Sequence, residues 1–182
     1  MKKILFFILI LSFNTNALAS VKQNIINNFN NIENLNFKFE QNINDKIETG
    51  YCIIEYPKKI FCEYDSLNKK LLVSNGRSIV IKTKSSYYLY PIKRTPLNSI
   101  LDKEFLLKKI EKLEPRSIDN KFINFNFLEN ENEINLFFDK KSFNLIGWQT
   151  IDIYQNLSIT YLSSITKNLK LKKNLFKLPD RN

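Results

Sequence analysis

Few side chains of this sequence belong to the types that usually perform catalysis. The chain has no histidine, so the most common general base and metal ligand at neutral pH is missing. Carboxylates such as Glu63, Asp65 and Asp152 are scattered, and none is paired with another at a spacing that defines an acid and a base. The three glycines are isolated, so no glycine-rich phosphate loop is present. We therefore expect neither an enzyme nor a bound metal or cofactor.

The two cysteines, Cys52 and Cys62, are the remaining groups with a chemistry of their own. They flank the segment YPKK (56–59), where proline suits a tight turn between runs of β-branched and aromatic residues. This pattern predicts a β-hairpin with one cysteine on each arm. Opposed residues of antiparallel strands have Cα atoms about 4.5–5.5 Å apart, which a disulfide can span. A disulfide is predicted if the turn places the cysteines opposite each other, but an offset of two residues would prevent it.

The N-terminus has the three parts of a secretory signal peptide. Lys2 and Lys3 precede an apolar run over residues 4–11, and Ala17-Leu18-Ala19 forms a cleavage site. The apolar run is about half of the ~20 residues that a membrane-spanning helix needs, and a serine, not a cysteine for lipid attachment, follows the site. We predict a signal peptide over residues 1–19 and a single periplasmic domain over residues 20–182. An oxidising compartment would also preserve the disulfide.

The chain of 182 residues carries a formal net charge of +10. A basic surface can attract nucleic acid, anionic lipid headgroups or an acidic partner. The predicted periplasmic location argues against nucleic acid. The composition is rich in Lys, Asn, Ile and Phe, as expected for an AT-rich genome, so codon usage explains part of the charge. We expect a monomer that does not bind nucleic acid.

Hydrophobic periodicity gives the order of the elements. Helical spacing predicts an amphipathic helix from Val21 to Leu35, and a second helical region begins with Thr95 as N-cap, continues past a cap at Asp102 and ends before Pro115. Alternation and turn signals such as Asn75-Gly76 predict strands over residues 35–43, 50–56, 60–64, 70–74, 78–83, 86–92, 121–128, 133–138, 145–154 and 157–165, with a short closing strand over 175–180.

An antiparallel run of this kind, interrupted once by helices, predicts a mainly β (α+β) fold: an unclosed antiparallel barrel or strongly curved sheet with a helical lid on its concave face. Ordinary core packing explains most of the apolar and aromatic side chains taken singly. Taken together they permit an interior cavity for an apolar ligand.

Several segments in order resemble the periplasmic outer-membrane lipoprotein carrier family (LolA-like), over essentially the whole chain after the signal peptide. The matching segments are NFKFEQ (36–41), the hairpin 50–64 with its proline and its Glu-Tyr pair, LVSNGR (72–77), TPL (95–97) followed by Ile100 and Leu101, LIGW (145–148) followed by Asp152, and LF (175–176) followed by Pro179 and Asp180. No single segment is specific, but the ordered set is.

The resemblance implies a carrier that holds the acyl chains of lipoproteins in an apolar cavity. Its partners would be acylated lipoproteins, an inner-membrane ATP-driven transporter that releases them, and an outer-membrane receptor. The resemblance also puts inward the hairpin face that carries both cysteines. The candidate acyl-chain contacts are Phe37, Phe39, Ile54, Tyr56, Ile60, Leu97, Ile100 and Leu101.

The chain departs from the family pattern at two positions. The family commonly has an arginine before the hairpin proline, which bridges to the lid, and an aromatic residue three positions after it; here these positions are Tyr56 and Ile60. A tyrosine hydroxyl can form a hydrogen bond but not the multi-donor contact of a guanidinium, so a looser lid is expected. The alternative function is a lipid-binding or lipid-sensing periplasmic module of the same fold that regulates a partner.

Overall fold

The chain folds around one large antiparallel sheet. The computed structural model describes residues 15–151 and 157–181. In these ranges eleven strands follow the order β6-β5-β4-β3-β2-β1-β11-β10-β9-β8-β7. Strand β1 lies in the middle and joins two meanders, one formed by β1–β6 and the other by β7–β11. The end strands, β6 and β7, do not pair with each other among the described residues, and the sheet is not closed. The predicted unclosed antiparallel architecture is therefore confirmed.

The strands are β1 (Asn34–Ile43), β2 (Lys46–Glu55), β3 (Lys59–Tyr64), β4 (Leu71–Asn75), β5 (Ser78–Lys82), β6 (Tyr87–Pro91), β7 (Arg116–Ile118), β8 (Phe122–Glu129), β9 (Asn132–Asp139), β10 (Leu145–Ile151) and β11 (Leu157–Lys167). Three helices accompany them: α1 (Thr15–Asn30), α2 (Leu97–Ile100) and α3 (Lys103–Lys112), with a 3-10 turn at Ile92–Arg94. Within the described ranges, no helix is both long and apolar enough to cross a membrane.

Tight turns fix the register of the meanders. Asn44 and Asp45 both have positive φ, 48° and 65°, which is the geometry of a two-residue hairpin turn. Gly76 has a φ of 94° in the β4–β5 turn, where the Asn75 side chain accepts hydrogen bonds from two backbone amides. Register matters because a slip by one residue would turn the apolar face of a strand outward.

Four sequence predictions are corrected. The first helix runs from Thr15 to Asn30 and not from Val21 to Leu35, and Leu35 belongs to β1, where the alternating pattern that follows favours a strand. Thr95 is not the N-cap of α2, a position that Pro96 takes; its hydroxyl donates to the carbonyl of Ile92, and it ends the 3-10 turn. Strand β7 was missed because it has only three residues, all exposed. Residues 175–180 form no strand, because the chain turns there through hydrogen bonds such as Lys177 to Asn174.

Some predictions lie outside the described residues. They are the first part of the signal peptide, residues 1–14, and the end of the strand predicted over residues 145–154 with the turn after it. The cleavage position itself remains a prediction, as does the division into a signal peptide and a single domain.

The main core lies between one face of the sheet, which we call the inner face, and the helices. Ile25 and Phe29 of α1 and Leu106 and Ile110 of α3 are fully buried in it. They meet apolar side chains that alternate along the strands, such as Phe138 of β9, whose ring lies 6.1 Å from that of Phe29 in an edge-to-face contact. The helices thus cover the inner face as a lid, as predicted.

The outer face of β3–β6 carries a second, smaller apolar layer. Val73 and Val80 pair across β4 and β5 and are buried outside the main core. The C-terminal segment 169–181, which we call the strap, crosses this face. It is held by Lys59 against the ring of Phe176 and by the Tyr87 hydroxyl, which donates to the carbonyl of Pro179.

Candidate functional site

The cysteines of the β2–β3 hairpin are directly opposed. Glu55 pairs with Lys59, which leaves a three-residue loop, and this places Cys52 opposite Cys62 with a Cα–Cα distance of 4.1 Å. The two residues form a disulfide, and both are buried on the inner face. The register that the sequence left open is therefore the one that allows the bond.

A cavity of about 50 Å³ lies against this disulfide on the inner face. It is bounded by strands of both meanders and, on the lid side, by Leu97 of α2. Its lining residues are Phe37, Phe39, Gln41, Cys52, Ile60, Cys62, Tyr64, Leu72, Leu97, Trp148 and Thr160. None of these carries a charge at neutral pH, so the site is suited to an apolar ligand.

Gly50 shapes one wall of the cavity. It pairs with Phe39 across β1 and β2, and the Phe39 ring lies over it. A Cβ atom at position 50 would come within 2.8 Å of that ring and 2.2 Å of the carbonyl oxygen of Glu63. Glycine therefore allows the Phe39 ring to lie flat along the strand and to make an edge contact with Tyr64, at 4.9 Å between centroids.

One end of the cavity is polar but neutral. The Gln41 amide donates to the hydroxyls of Ser158 and Thr160, each at 3.2 Å, and its carbonyl lies 3.4 Å from the Tyr64 hydroxyl. Burial raises the pKa of Tyr64 above its usual value, and the carboxylate of Glu48 raises that pKa further. Tyr64 therefore stays protonated, and this end offers hydrogen bonds without a charge.

The lid helices α1 and α3 hold each other through two lysines. The Lys22 ammonium donates to the carbonyls of Glu111 and Leu113 at the end of α3. The Lys103 ammonium donates to the carbonyls of Asn30 and Ile32 at the end of α1, at 2.9 and 2.8 Å. Carbonyls at helix C-termini lack partners within their helix and favour cations. These reciprocal hydrogen bonds fix α1 and α3 relative to each other.

The hairpin loop is joined to the lid by Lys58. Its backbone amide donates to the carbonyl of Leu101 at 2.7 Å, and its ammonium lies 3.1 Å from a carboxylate oxygen of Asp102. Asp102 also caps α3 by accepting from the amide of Phe105, as the sequence predicted. This junction borders a surface cleft of about 540 Å³ between the hairpin loop and the start of α3.

Tyr56 contributes packing to the same junction. Its ring lies 5.6 Å from that of Phe29 in an edge-to-face contact. Its hydroxyl is buried and has no hydrogen-bond partner among the described residues, and burial raises its pKa above the usual value. The Tyr56 hydroxyl thus makes none of the hydrogen bonds that its chemistry allows to the described residues, and Lys58 makes the polar contact to the lid.

The structure divides the eight candidate contacts into three groups. Four line the cavity: Phe37, Phe39, Ile60 and Leu97. Three are buried in the same core without lining it: Ile54, Ile100 and Leu101. Tyr56 lies at the junction of hairpin and lid.

Sequence reasoning missed several residues that line the cavity. Tyr64 and Leu72 could have been found, because Tyr64 has the same parity as Cys62 on β3, and Leu72 pairs with Cys62 across β3 and β4. Trp148 was harder to place, because an irregularity between Leu145 and Gly147 changes which residues of β10 face inward; the isolated Gly147 is its signal in the sequence. Thr160 lies two residues before Leu162 of the core on β11, so alternation could have placed it.

Comparison with known families decides the relationship. The model of the family described as outer membrane lipoprotein carrier protein LolA matches residues 30–179. The chain belongs to this family. The resemblance seen in the sequence is thereby confirmed.

Several solved structures are similar to this LolA family member at low identity. They include an uncharacterized conserved protein from Thermus thermophilus, with 8% identity, a TM-score of 0.53, and coverage of 88% of this chain and 94% of that one. A LolA superfamily protein from Nitrosomonas europaea has 9% identity, a TM-score of 0.46, and coverage of 86% and 97%. The Mycobacterium tuberculosis lipoprotein LppX has 10% identity, a TM-score of 0.45, and coverage of 88% and 100%. Comparison with curated proteins found no match.

Proposed function

We propose that this chain is a periplasmic carrier that takes the acyl chains of lipoproteins under its lid and carries them from the inner to the outer membrane. The observation that supports this most directly is the uncharged cavity between the disulfide hairpin and α2, in a chain of the LolA family. An ATP-driven inner-membrane transporter would load the carrier, and an outer-membrane receptor would unload it.

The size of the cavity requires the lid to move. A methylene group is similar in size to a water molecule, which needs a cavity of about 10–15 Å³, so a chain of about fourteen methylenes needs roughly 140–210 Å³. The cavity has about 50 Å³. In the proposed function the acyl chain therefore enters the space that Leu97 and its buried neighbours Ile100 and Leu101 occupy, and these side chains move aside.

Competition between the acyl chain and the lid residues for the same space also explains release. Burial of about fourteen methylenes is worth on the order of 11 kcal/mol before ordering is counted, at about 0.8 kcal/mol each. When the acyl chain leaves, the apolar side chains of α2 and of residue 101 return to the interior and regain their own burial. The lid therefore lowers the net affinity, so an acceptor can withdraw the cargo.

The test is loading of a fluorescent acylated peptide, followed by transfer to acceptor vesicles. Ile60→Glu places a charge in the cavity and should abolish loading. Ile53→Glu is the matched control, because Ile53 lies on the neighbouring strand with its side chain on the opposite face. Mass spectrometry of the protein purified from the periplasm would identify the natural lipid.

The results separate the carrier from the alternative function. Loading that is equal in both variants would contradict an acyl-chain site on the inner face. Loading without transfer, under conditions in which the bound lipid changes the binding of a partner protein, would replace the carrier with a lipid sensor.

A further inference from the structure

The excess of positive over negative charge in this chain lies in two segments. Residues 66–101 and 157–181 contain thirteen of the 28 Lys and Arg residues but one of the 18 Asp and Glu residues, Asp180. The remaining residues hold 15 basic and 17 acidic groups and are close to neutral. A compositional bias that acts on the whole gene would enrich lysine in both parts. The segregation therefore points to a basic surface.

The two segments meet in the structure. The strap crosses the outer face of β3–β6, and at its end the carbonyl of Asp180 accepts a hydrogen bond from the Lys82 ammonium at 2.6 Å. The Tyr87 hydroxyl donates to the neighbouring carbonyl of Pro179. Ten cationic residues of the two segments are exposed: Lys69, Arg77, Lys84, Lys93, Arg94, Lys170, Lys172, Lys173, Lys177 and Arg181. Their common field attracts anions to this half of the molecule.

Exposed aromatic and apolar side chains lie beside this charge on the end strand β6. Tyr88 and Tyr90 are 50% and 43% exposed, and their rings stack at 6.3 Å on the same face of the strand. Leu89, 56% exposed, points to the opposite face of the same strand, where it pairs with Val80. Large apolar side chains grouped in this way on a surface mark an interaction site more often than isolated ones do.

Three exposed cations lie at one end of β6: Arg77 precedes Ser78, which pairs with Pro91, and Lys93 and Arg94 follow Pro91 in the chain. The backbone amide of Ile92 donates to the carbonyl of Arg77 at 3.0 Å, which brings the β4–β5 turn against the start of the lid. We call the surface formed by Arg77, Tyr88, Leu89, Tyr90, Lys93 and Arg94 the basic edge. It lies next to α2, whose Leu97 closes the cavity.

We propose that the basic edge docks on a membrane surface rich in anionic phospholipid. Tyrosine is favoured at the boundary of a bilayer because its ring is apolar and its hydroxyl remains hydrated. Lysine and arginine add attraction to anionic headgroups. A fluid bilayer requires no shape complementarity, which suits side chains that protrude from an end strand. The proposal rests on the charge distribution and holds whether or not the cavity takes acyl chains.

The experiment is co-sedimentation of the full chain with phosphatidylglycerol–phosphatidylethanolamine vesicles and with neutral phosphatidylcholine vesicles. We expect binding to the anionic vesicles that weakens as salt rises. The triple variant R77Q/K93Q/R94Q should bind about a hundredfold more weakly, since each charge near an anionic surface contributes a factor of about five. Y88S/Y90S should weaken binding even at high salt, because it removes apolar contact.

The matched control is K121Q/K141Q, which removes exposed charges from the other half of the sheet and should bind almost as well as the parent chain. All substituted residues are exposed, and thermal unfolding checks that each variant folds. Equal binding to neutral and anionic vesicles, or equal loss in the control, would overturn the proposal. So would failure to bind vesicles when an acidic peptide binds the same edge, because the partner would then be a protein.

Discussion

The contact between hairpin and lid is divided between two side chains, Tyr56 and Lys58. In the family pattern one arginine before the proline bridges to the lid; here Tyr56 packs on Phe29, and Lys58 carries the charge to Asp102. The bridge has moved by two residues along the loop. Its ion pair is partly exposed, and pairs of this kind contribute about 0–1 kcal/mol each. This ion pair therefore adds little to the attachment of the lid, which depends mainly on buried apolar side chains.

Lys58→Met should make the lid open more often. It removes the ion pair to Asp102 and keeps the backbone bond to Leu101, so the fraction of open molecules should rise by a factor of about two to five. Hydrogen exchange of the α3 amides measures this fraction. The control is Lys59→Met, because Lys59 pairs with Glu55 inside the hairpin. Exchange that is equal in both variants would show that the ion pair does not restrain the lid.

Tyr56→Phe should leave the protein as stable or make it more stable, by up to about 1 kcal/mol, because the hydroxyl is buried without a partner among the described residues. Urea unfolding at pH 7 measures this. A decrease of more than about 1 kcal/mol would mean that the hydroxyl has a partner, such as a water molecule. Tyr88→Phe, at an exposed position, is the control.

Tyr56 and the cavity residue Tyr64 predict that the protein loses stability at alkaline pH. Burial raises the pKa of Tyr56 and of Tyr64 in the folded chain, so their contribution to stability is complete below the unfolded value of about 10. Above pH ~10 the unfolded chain loses protons that the folded chain keeps. The free energy of unfolding should then fall by up to about 1.4 kcal/mol per pH unit for each tyrosine. Tyr56→Phe should reduce this slope; an unchanged slope would contradict the assignment.

The lid is built from helices that the core and the hairpin hold at different points. Reciprocal lysine contacts join α1 and α3, whereas Leu101 between α2 and α3 is fully buried and its carbonyl bonds to the hairpin loop. Residue 101 is therefore where the lid is most tightly attached.

Leu101→Asp should detach the lid and leave most of the sheet folded. Loss of a buried leucine costs about 2–5 kcal/mol, and a buried carboxylate adds to this, whereas the ladders of β1–β6 are not touched. Far-UV circular dichroism should keep its β signal while binding of a hydrophobic dye rises. Lys108→Asp, at an exposed position of α3, is the control. A spectrum of an unfolded chain would show that the lid is required for folding of the sheet.

Local signals explain which elements the sequence predicts. The β4–β5 turn, the disulfide hairpin and the Asp102 cap each depend on chemistry within a few residues, and each prediction agrees with the structure. The strap is different: residues 175–180 alternate like a strand but pair with no strand among the described residues, and side-chain contacts hold them on the outer face. The cavity wall at Trp148 depends on an irregularity of β10 at Gly147; an isolated glycine in a strand favours such an irregularity but does not define the register that follows it.

The disulfide ties together one of the two meanders of the molecule. Reduction, or the double variant Cys52→Ala/Cys62→Ala, should lower the free energy of unfolding by roughly 2–3 kcal/mol, as expected for a loop of this length. Urea unfolding with and without reductant measures it. Alkylation followed by intact mass tests the bond directly: two thiols that react without reductant would contradict it.

The order of the strands also has a consequence for how the chain reaches its fold. Every described strand pair but one joins neighbours in the sequence; the exception is β1 with β11, where Lys38 and Ser163 are 125 positions apart. This single long-range pairing raises the contact order and makes folding slower. A nascent chain that emerges from its N-terminus can complete the β1–β6 meander early, but one edge of β1 then waits for the last strand. Such an edge is open to intermolecular pairing, so we expect the half-made protein to be the form most prone to aggregation.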